Sequence, residues 1–406
     1  MNIKTSNSNI IQIFLLSFAI FIVFVSSVFI LNKTYASSTT GEPKEVFDTA
    51  CGSLSSKFFL KSDTDILKLQ NKYKDKILST NDAHKYIKKI LSKLGDPYTR
   101  LLTKEEFTNE QNIIKSTLIG IGIKLANKKP VILDILPNSP ASQSNIKPYD
   151  YILAINDKNT SGLSSKEITD CLKGSKGTSL KLTLKRNSDV FTKEIIIDEI
   201  KLKAVTVQTL DNNIALVKIS SFIPENTSNQ FKEELLKLMG GRDLVIDLRN
   251  NSGGLLKNAI EIADMFLSEG KIVTTIQKFN KTNNFANSGK IFDGNIVILV
   301  NENTASASEI LTSALKENGV ATVIGKKTYG KGLVQEIIKL QDGSALHVTV
   351  ASYLTPSGRF IDKKGITPDK IINSEEKQIL TAKEILLANN KTQNIQVSLQ
   401  GLKPLQ

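Results

Sequence analysis

A serine, a lysine and a glycine-rich turn, each placed at the end of an apolar run, are the residues of this chain that can do chemistry. Residues 296–300 are apolar. A polar loop follows, and Ser306-Ala307-Ser308-Glu309 leads into a helix-patterned stretch that Gly319 closes. A serine directly ahead of a helix meets backbone N–H groups and a dipole that favour developing negative charge, which suits a nucleophile and its oxyanion. Taken alone, the segment is better served by Ser306 and Ser308 as helix caps. A second segment, Thr328-Tyr329-Gly330-Lys331-Gly332-Leu333-Val334-Gln335, sets one lysine between two glycines. Glycines admit a close approach of other backbone, and a lysine in an apolar site has a lowered pKa and can act as a general base. Gln335 can hold its amine by a hydrogen bond. The competing use, a phosphate-cradling turn, lacks the Gly-x-x-x-x-Gly-Lys-Ser/Thr pattern. The third segment, Asp247-Leu248-Arg249-Asn250-Asn251-Ser252-Gly253-Gly254, follows a strand-like run. Its glycines can offer N–H groups to an oxyanion, or it is an ordinary β-to-α turn.

Scarcity narrows the options. Among 406 residues there are two histidines and two cysteines. A Ser-His-Asp triad would have to use His84, on a helix-patterned run, which reads as a surface residue, or His347, in an alternating strand, which reads as structural. Serine with lysine is therefore the economical pair. Two Cys and two His also make a disulfide scaffold or a protein-built zinc site a poor fit, and no cofactor motif is present. Ser313-Ala314-Leu315-Lys316 matches the Ser-x-x-Lys of penicillin-recognising enzymes, but no Lys-Thr-Gly follows. Gly120-x-Gly122 lacks the third glycine and the helix of a dinucleotide site. The net charge of +13 comes from 53 basic and 40 acidic residues. The lysines are spread along the chain and not interleaved with aromatics, so they read as a solvated surface and not as a nucleic-acid interface.

Positioning these residues takes several elements. Residues 10–31 are apolar and uncharged. As a helix they would extend about 33 Å, enough for a bilayer core of about 30 Å. They are expected to export the rest of the chain as an uncleaved anchor, with a signal cut near Thr34-Tyr35-Ala36 as the alternative. Residues 37–44 read as a linker, and Cys51 and Cys171 have no spacing that pairs them. Residues 45–115 read as helical, with a stripe at Tyr86, Ile87, Ile90, Leu91 and Leu94 ended by Gly95 and Pro97. From 116 to 200 come short strand patterns at 121–125, 131–135, 151–155, 180–184 and 194–197, plus one helix over 164–172 opened by a Ser164–Glu167 capping box. Beyond 205, strands at 214–219, 244–248, 296–300 and 320–324 alternate with helices at 227–238, 258–267 and 309–317, which argues for an α/β layered domain. Thr227 reads as the cap of the first of these helices. The last stretch carries one short helix, 382–388.

Taken together and in order, the three chemical segments resemble those of the C-terminal processing peptidases, or tail-specific proteases. That family shows Asp-Leu-Arg-Asn-Asn-x-Gly-Gly, then Ser-Ala-Ser-Ala-Ser-Glu, then Phe/Tyr-Gly-Lys-Gly-x-Val-Gln. Tyr353-Leu354-Thr355-Pro356-Ser357-Gly358-Arg359, Gly365-Ile366-Thr367-Pro368-Asp369 and Asp96-Pro97-Tyr98-Thr99 match as well, so the resemblance spans about residues 45–372. It implies Ser306 as nucleophile, Lys331 as general base and Gln335 as the residue that orients Lys331. The implied oxyanion hole is the Ala307 N–H with that of Gly253 or Gly254. The implied fold is α+β and multidomain: a membrane anchor or signal (1–36), a helical region (37–115), a PDZ domain (116–200), a layered crotonase/ClpP-like serine protease core (201–375) and a tail (376–406).

In the PDZ segment, Gly120, Ile121, Gly122 and Ile123 look like a carboxylate-binding loop, with Lys115 upstream. Such loops capture a free C-terminus, and the peptide adds a strand beside the helix. The expected partners are thus proteins or peptides with free apolar C-termini, and the membrane through the N-terminal helix; a homo-oligomer stays open. Two departures from the family stand out: Asn145 and Tyr149 replace glycines of a Gly-Ile-x-x-Gly-Asp turn, and Lys173 replaces an arginine. The rival from another class is a PDZ scaffold or holdase that binds C-termini without cutting. Retention of Ser306, Lys331 and Gln335 argues for cutting.

Overall fold

The computed structural model describes residues 42–400, apart from 63, 127–128, 212, 239–242 and 288. The expected membrane segment lies outside the described residues; among these, no helix is long and apolar enough to cross a membrane. The described chain divides into two units, 111–202 and the rest.

The larger unit starts with helices α1 (Pro43–Lys57), α2 (Ile66–Tyr73) and α3 (Thr80–Leu91). Ser79 caps α3 by accepting the Asp82 N–H, and the stripe predicted on α3 is buried at Ile87, Ile90 and Leu91. These residues join Val46, Phe47 and Leu54 of α1 in one cluster with Leu340, Leu346 and Val348. The helical region is thereby fastened to a distant sheet. It also contains a strand that its helical pattern does not announce, β1 (Arg100–Leu102), before α4 (Lys104–Ile114).

The smaller unit holds β2 (Thr117–Gly120), β3 (Ile123–Leu125), β4 (Ile132–Ile135), α5 (Pro140–Gln143), β5 (Tyr151–Ile155), β6 (Lys158–Asn159), α6 (Ser165–Cys171), β7 (Ser179–Arg186), β8 (Asp189–Ile196) and β9 (Asp198–Lys201). This corrects the five strands and one helix expected. The run at 121–125 is broken because Gly122 takes a φ of 82° between β2 and β3. The capping box at α6 is present. Asn145 and Tyr149, the two departures at this turn, take left-handed backbone at φ of 58° and 73°, a region that glycine enters without strain. Asp150 then pairs with Arg186 through two hydrogen bonds of 2.6 and 2.7 Å. Lys173 pairs with Asp170 at 2.9 Å. Both cysteines are free thiols.

The larger unit continues through β10 (Val205–Asp211), β11 (Ile214–Ile219), α7 (Thr227–Lys237), β12 (Asp243–Asp247), α8 (Leu256–Asp264), β13 (Lys271–Gln277), β14 (Lys281–Phe285), β15 (Ile296–Val300), α9 (Ala307–Glu317), β16 (Ala321–Gly325), β17 (Leu333–Lys339), β18 (Ala345–Leu354), β19 (Lys370–Ile371) and α10 (Glu375–Gln400). Thr227 proves to be the first helical residue of α7, with Asn226 as N-cap. One sheet runs β10-β11-β12-β15-β16-β19. It is parallel except for the β10–β11 pair. A second, antiparallel sheet centres on β18, which pairs with β1, β13 and β17.

The parallel sheet is covered on both faces, which is why its strands read as continuous apolar runs. Ile296, Ile298 and Val300 of β15 face α7, α8 and α9 in the main core. Val297 and Leu299 face the other way, onto Ala382 and Leu386 of α10. At least through Leu386, the C-terminal segment packs on the sheet. Its helix is far longer than 382–388 and closes the second face of the core, where each fully buried aliphatic side chain contributes about 1.5–3 kcal/mol.

Candidate active site

Ser306 lies between β15 and α9, in a loop laced to the turn after β12. Thr304 Oγ1 donates to Leu248 O at 2.8 Å, and the Ala305 N–H and Ser308 Oγ both donate to Asn251 O at 3.0 Å. Asn250 and Asn301 bond each other twice, at 2.9 Å each. Held this way, Ser306 is the N-cap of α9 with φ 54° and ψ −115°. A non-glycine residue in that region is strained and persists only where its surroundings over-determine it, as at many functional sites.

Lys331 approaches from the loop between β16 and β17. The flanking glycines are there because residues 361–365 cross close by. A Cβ on Gly332 would sit 2.2 Å from Asp362 N, and one on Gly330 2.8 Å from Gly365 N. The result is a buried lysine, 7% exposed. Burial drives its pKa down from 10.5 to about 7; Asp96 pulls it back up, Arg100 pushes it down and Glu309 pulls it up. Its Nζ lies 4.4 Å from the centroid of the Tyr98 ring.

One carboxylate joins the two loops. Glu309, fully buried on the first turn of α9, accepts the Ser306 N–H at 2.8 Å and the Lys331 N–H at 2.9 Å on Oε2. Its Oε1 accepts the Gly330 N–H at 2.7 Å and the Thr328 hydroxyl at 2.5 Å. Burial pushes its pKa up, and these four donors pull against that. Gln335, on β17, is buried and donates from Nε2 to Thr349 Oγ1 at 3.3 Å.

The oxyanion candidates separate. Ala307 is the first residue of α9, and its N–H has no hydrogen-bond partner among the described residues. The same holds for the Gly254 N–H. Gly253 does not qualify, because its N–H is committed to Asn251 Oδ1 at 2.8 Å. Gly254 is pressed against the chain at Phe222–Ile223, where a Cβ would meet Phe222 C at 2.0 Å. Asp247 and Arg249 of the same motif form a buried pair at 2.7 Å, and Arg249 Nη1 reaches Glu375 O at 3.1 Å, so they anchor α10.

Neither histidine competes. His84 pairs with Asp342 at 2.6 Å, and His347 is buried against Glu110 at 3.2 Å, with burial lowering its pKa. Among the described residues no cluster could hold a metal ion.

In the smaller unit, Gly120 ends β2 and Ile123 opens β3. Ile121 is buried and Ile123 half-buried in the core that includes Ile168 and Leu172. Among the described residues β3 pairs with β4 alone.

Sequence reasoning missed Glu309, Thr349 and the roles of Asp96, Tyr98 and Arg100. The matched Asp96-Pro97-Tyr98-Thr99 and Ser306–Glu309 motifs were the available signal.

Residues 213–372 match the model of peptidase family S41, and residues 117–197 that of a PDZ domain. A carboxyl-terminal-processing protease from Picosynechococcus sp. (strain ATCC 27264 / PCC 7002 / PR-6) is 35% identical over 320 residues, 76% of this chain and 77% of that protein. Of solved structures, the photosystem II D1 C-terminal processing protease aligns with TM-score 0.56 and 28% identity, covering 83% of this chain and 94% of that one. A lipoprotein from Streptococcus agalactiae, 13% identical, shares the fold with TM-score 0.53 over 88% of this chain and 100% of its own.

Proposed function

The chain belongs to peptidase family S41, the carboxyl-terminal-processing serine proteases, and with that as premise we propose that Ser306 and Lys331 form its catalytic dyad. The observation that carries this reading is the Glu309 oxygen shared by the Ser306 and Lys331 N–H groups, beside a lysine whose pKa is brought to about 7.

Neutral Lys331 takes the Ser306 hydroxyl proton as Oγ attacks the scissile carbonyl. The tetrahedral oxyanion is held by the Ala307 and Gly254 N–H groups, helped by the positive end of α9. Protonated Lys331 then gives its proton to the departing amine, leaving an acyl-enzyme on Ser306. Neutral again, Lys331 activates water to release it. Gln335 orients the amine.

The PDZ domain chooses substrates by their free apolar C-terminus, which would pair with the open edge of β3 and set its carboxylate on the Gly120–Ile123 loop. A tail docked this way is a small interface, but a domain in the same chain raises the concentration of the substrate at Ser306. Residues 10–31 would hold the body outside the cytoplasm, near the membrane if they stay and secreted if they are cut away.

The test of the dyad is a peptide library varied at the free carboxyl end, cleaved by wild type, Ser306→Ala and Lys331→Ala. Both variants should be folded and inactive, and near-wild-type cleavage by either would refute the assignment. Fractionation of cells expressing the full chain tests its location.

A further inference from the structure

We propose that the turn at Asp96–Arg100, supplied by the helical region ahead of the protease fold, is the positioning device of the base. Asp96 acts through Thr349 to fix the Gln335 amide with its carbonyl oxygen toward Lys331, and Tyr98 covers the lysine amine. The proposal rests on the reading of Lys331 as general base.

The donors and acceptors around Asp96 and Thr349 fix the amide. Asp96 is buried and receives three donors: the Tyr98 N–H at 3.1 Å on Oδ1, and the Thr99 and Thr349 hydroxyls at 2.6 Å each on Oδ2. Thr349 stands opposite Gln335 in the β17–β18 register. A hydroxyl has one proton to give. The Thr349 proton goes to Asp96, so Thr349 can only accept from Gln335, and it does so from Nε2 at 3.3 Å. The amide is thereby committed, NH₂ toward Thr349 and Oε1 away from it. A lysine amine donates in either protonation state, and as a base it must keep its lone pair for the Ser306 proton, so Oε1 is the atom it requires. Without Asp96 the Thr349 hydroxyl could turn and donate to Gln335 Oε1. The amide would then flip and present NH₂ to the amine, where it repels the ammonium and, with the neutral amine, competes for the lone pair that must take the Ser306 proton.

The same turn shapes the field at the base. The Tyr98 ring face stabilises the ammonium that forms when Ser306 gives up its proton. Asp96 and Glu309 favour that charge and Arg100 opposes it. His347, paired with Glu110 and facing Arg100 across β1 and β18, also stands near Lys331. Tyr329 and Asp362 face Tyr98. The Thr349 N–H donates to Thr99 Oγ1 at 3.0 Å, which ties the turn to β18.

The experiment measures kcat, KM and the pH profile of the full chain on a peptide with a free apolar C-terminus. Thr349→Val, which keeps shape and the Asp96 charge, should lower kcat by about tenfold or more with KM and the pH limb unmoved. Thr349→Ser should restore kcat. Asp96→Asn should lower kcat and also move the acid limb to lower pH by about one unit, because a negative charge leaves the vicinity of the amine. Unchanged kcat in Thr349→Val would overturn the proposal, as would a Thr349→Ser enzyme as slow as Thr349→Val. If Asp96→Asn does not fold, the Thr349 pair decides. Ser306→Ala and Lys331→Ala run in the same assay: activity surviving there overturns the dyad itself, whereas their inactivity beside a fully active Thr349→Val overturns only the positioning role.

Discussion

Ser306 and Lys331, each in its own loop, direct their backbone N–H groups to a single atom, Oε2 of Glu309, at 2.8 and 2.9 Å. The two loops, and with them the proposed nucleophile and base, are thus tied together by a buried carboxylate on the first turn of α9. The same carboxylate satisfies the N–H of Ser306, which the first turn of a helix leaves without an internal partner.

Replacing Glu309 should therefore cost both stability and activity. Glu309→Ala leaves three N–H groups and the Thr328 hydroxyl without their acceptor, and Glu309→Gln turns an NH₂ group onto two of them. We expect about 2–4 kcal/mol of destabilisation and a fall in kcat exceeding any change in KM. Chemical denaturation and steady-state kinetics measure the two effects. A Glu309→Gln enzyme with wild-type kcat would disprove the linking role.

Activity should rise with pH through about 7 and then level off, since Lys331 has to be neutral to accept the Ser306 proton and its pKa is about 7. Stability follows the same group with a definite sign. The folded-state pKa lies below the ordinary 10.5 of the unfolded chain. Between those values the unfolded state binds the extra proton, so this lysine's contribution makes the fold more stable as pH climbs across that window. Lys331→Met should flatten that slope and, at neutral pH, raise the melting temperature by a few degrees while abolishing cleavage. Melting curves across pH check it; a less stable Lys331→Met protein would contradict the desolvation argument.

Gly254→Ala should behave as a severe lesion. Its φ is 149°, and the new methyl would overlap the Phe222 carbonyl carbon. Displacing this N–H from the oxyanion position should reduce kcat by about 10²–10³-fold. Acyl-enzyme formation, followed by active-site labelling and mass spectrometry, reports the step affected. Normal acylation would remove Gly254 from the oxyanion hole.

Tail recognition predicts a chemical preference in the substrate. Amidating its C-terminus, or ending it in two aspartates, should reduce cleavage strongly. Gly122→Ala should have a similar effect on free-acid substrates, because its Cβ would lie 2.2 Å from Ser139 Cβ and the loop would have to shift. Equal rates for amidated and free-acid peptides would end the tail-recognition idea and leave the dyad untouched.

Much of the candidate site is legible in the sequence because its parts are contiguous there. Ser306 at a strand-to-helix junction, Lys331 between glycines and the turn at 250–254 each carry a local signature. The strands of the parallel sheet follow from apolar runs buried on both sides, and α3 from its stripe. Local patterns report which face of an element is buried, and they do so well when burial is one-sided or complete. They say nothing about which distant residue lies opposite. Only the tertiary structure shows that β1 joins β18, that α10 covers the sheet instead of trailing from it, and that Gly253 spends its N–H on Asn251 while Gly254 does not. The Glu309 bridge and the relay from Asp96 through Thr349 to Gln335 belong to the same class. They join residues that are far apart in the chain and leave no periodicity behind, because a hydrogen bond between distant segments constrains the residues at its two ends and not the pattern of those between.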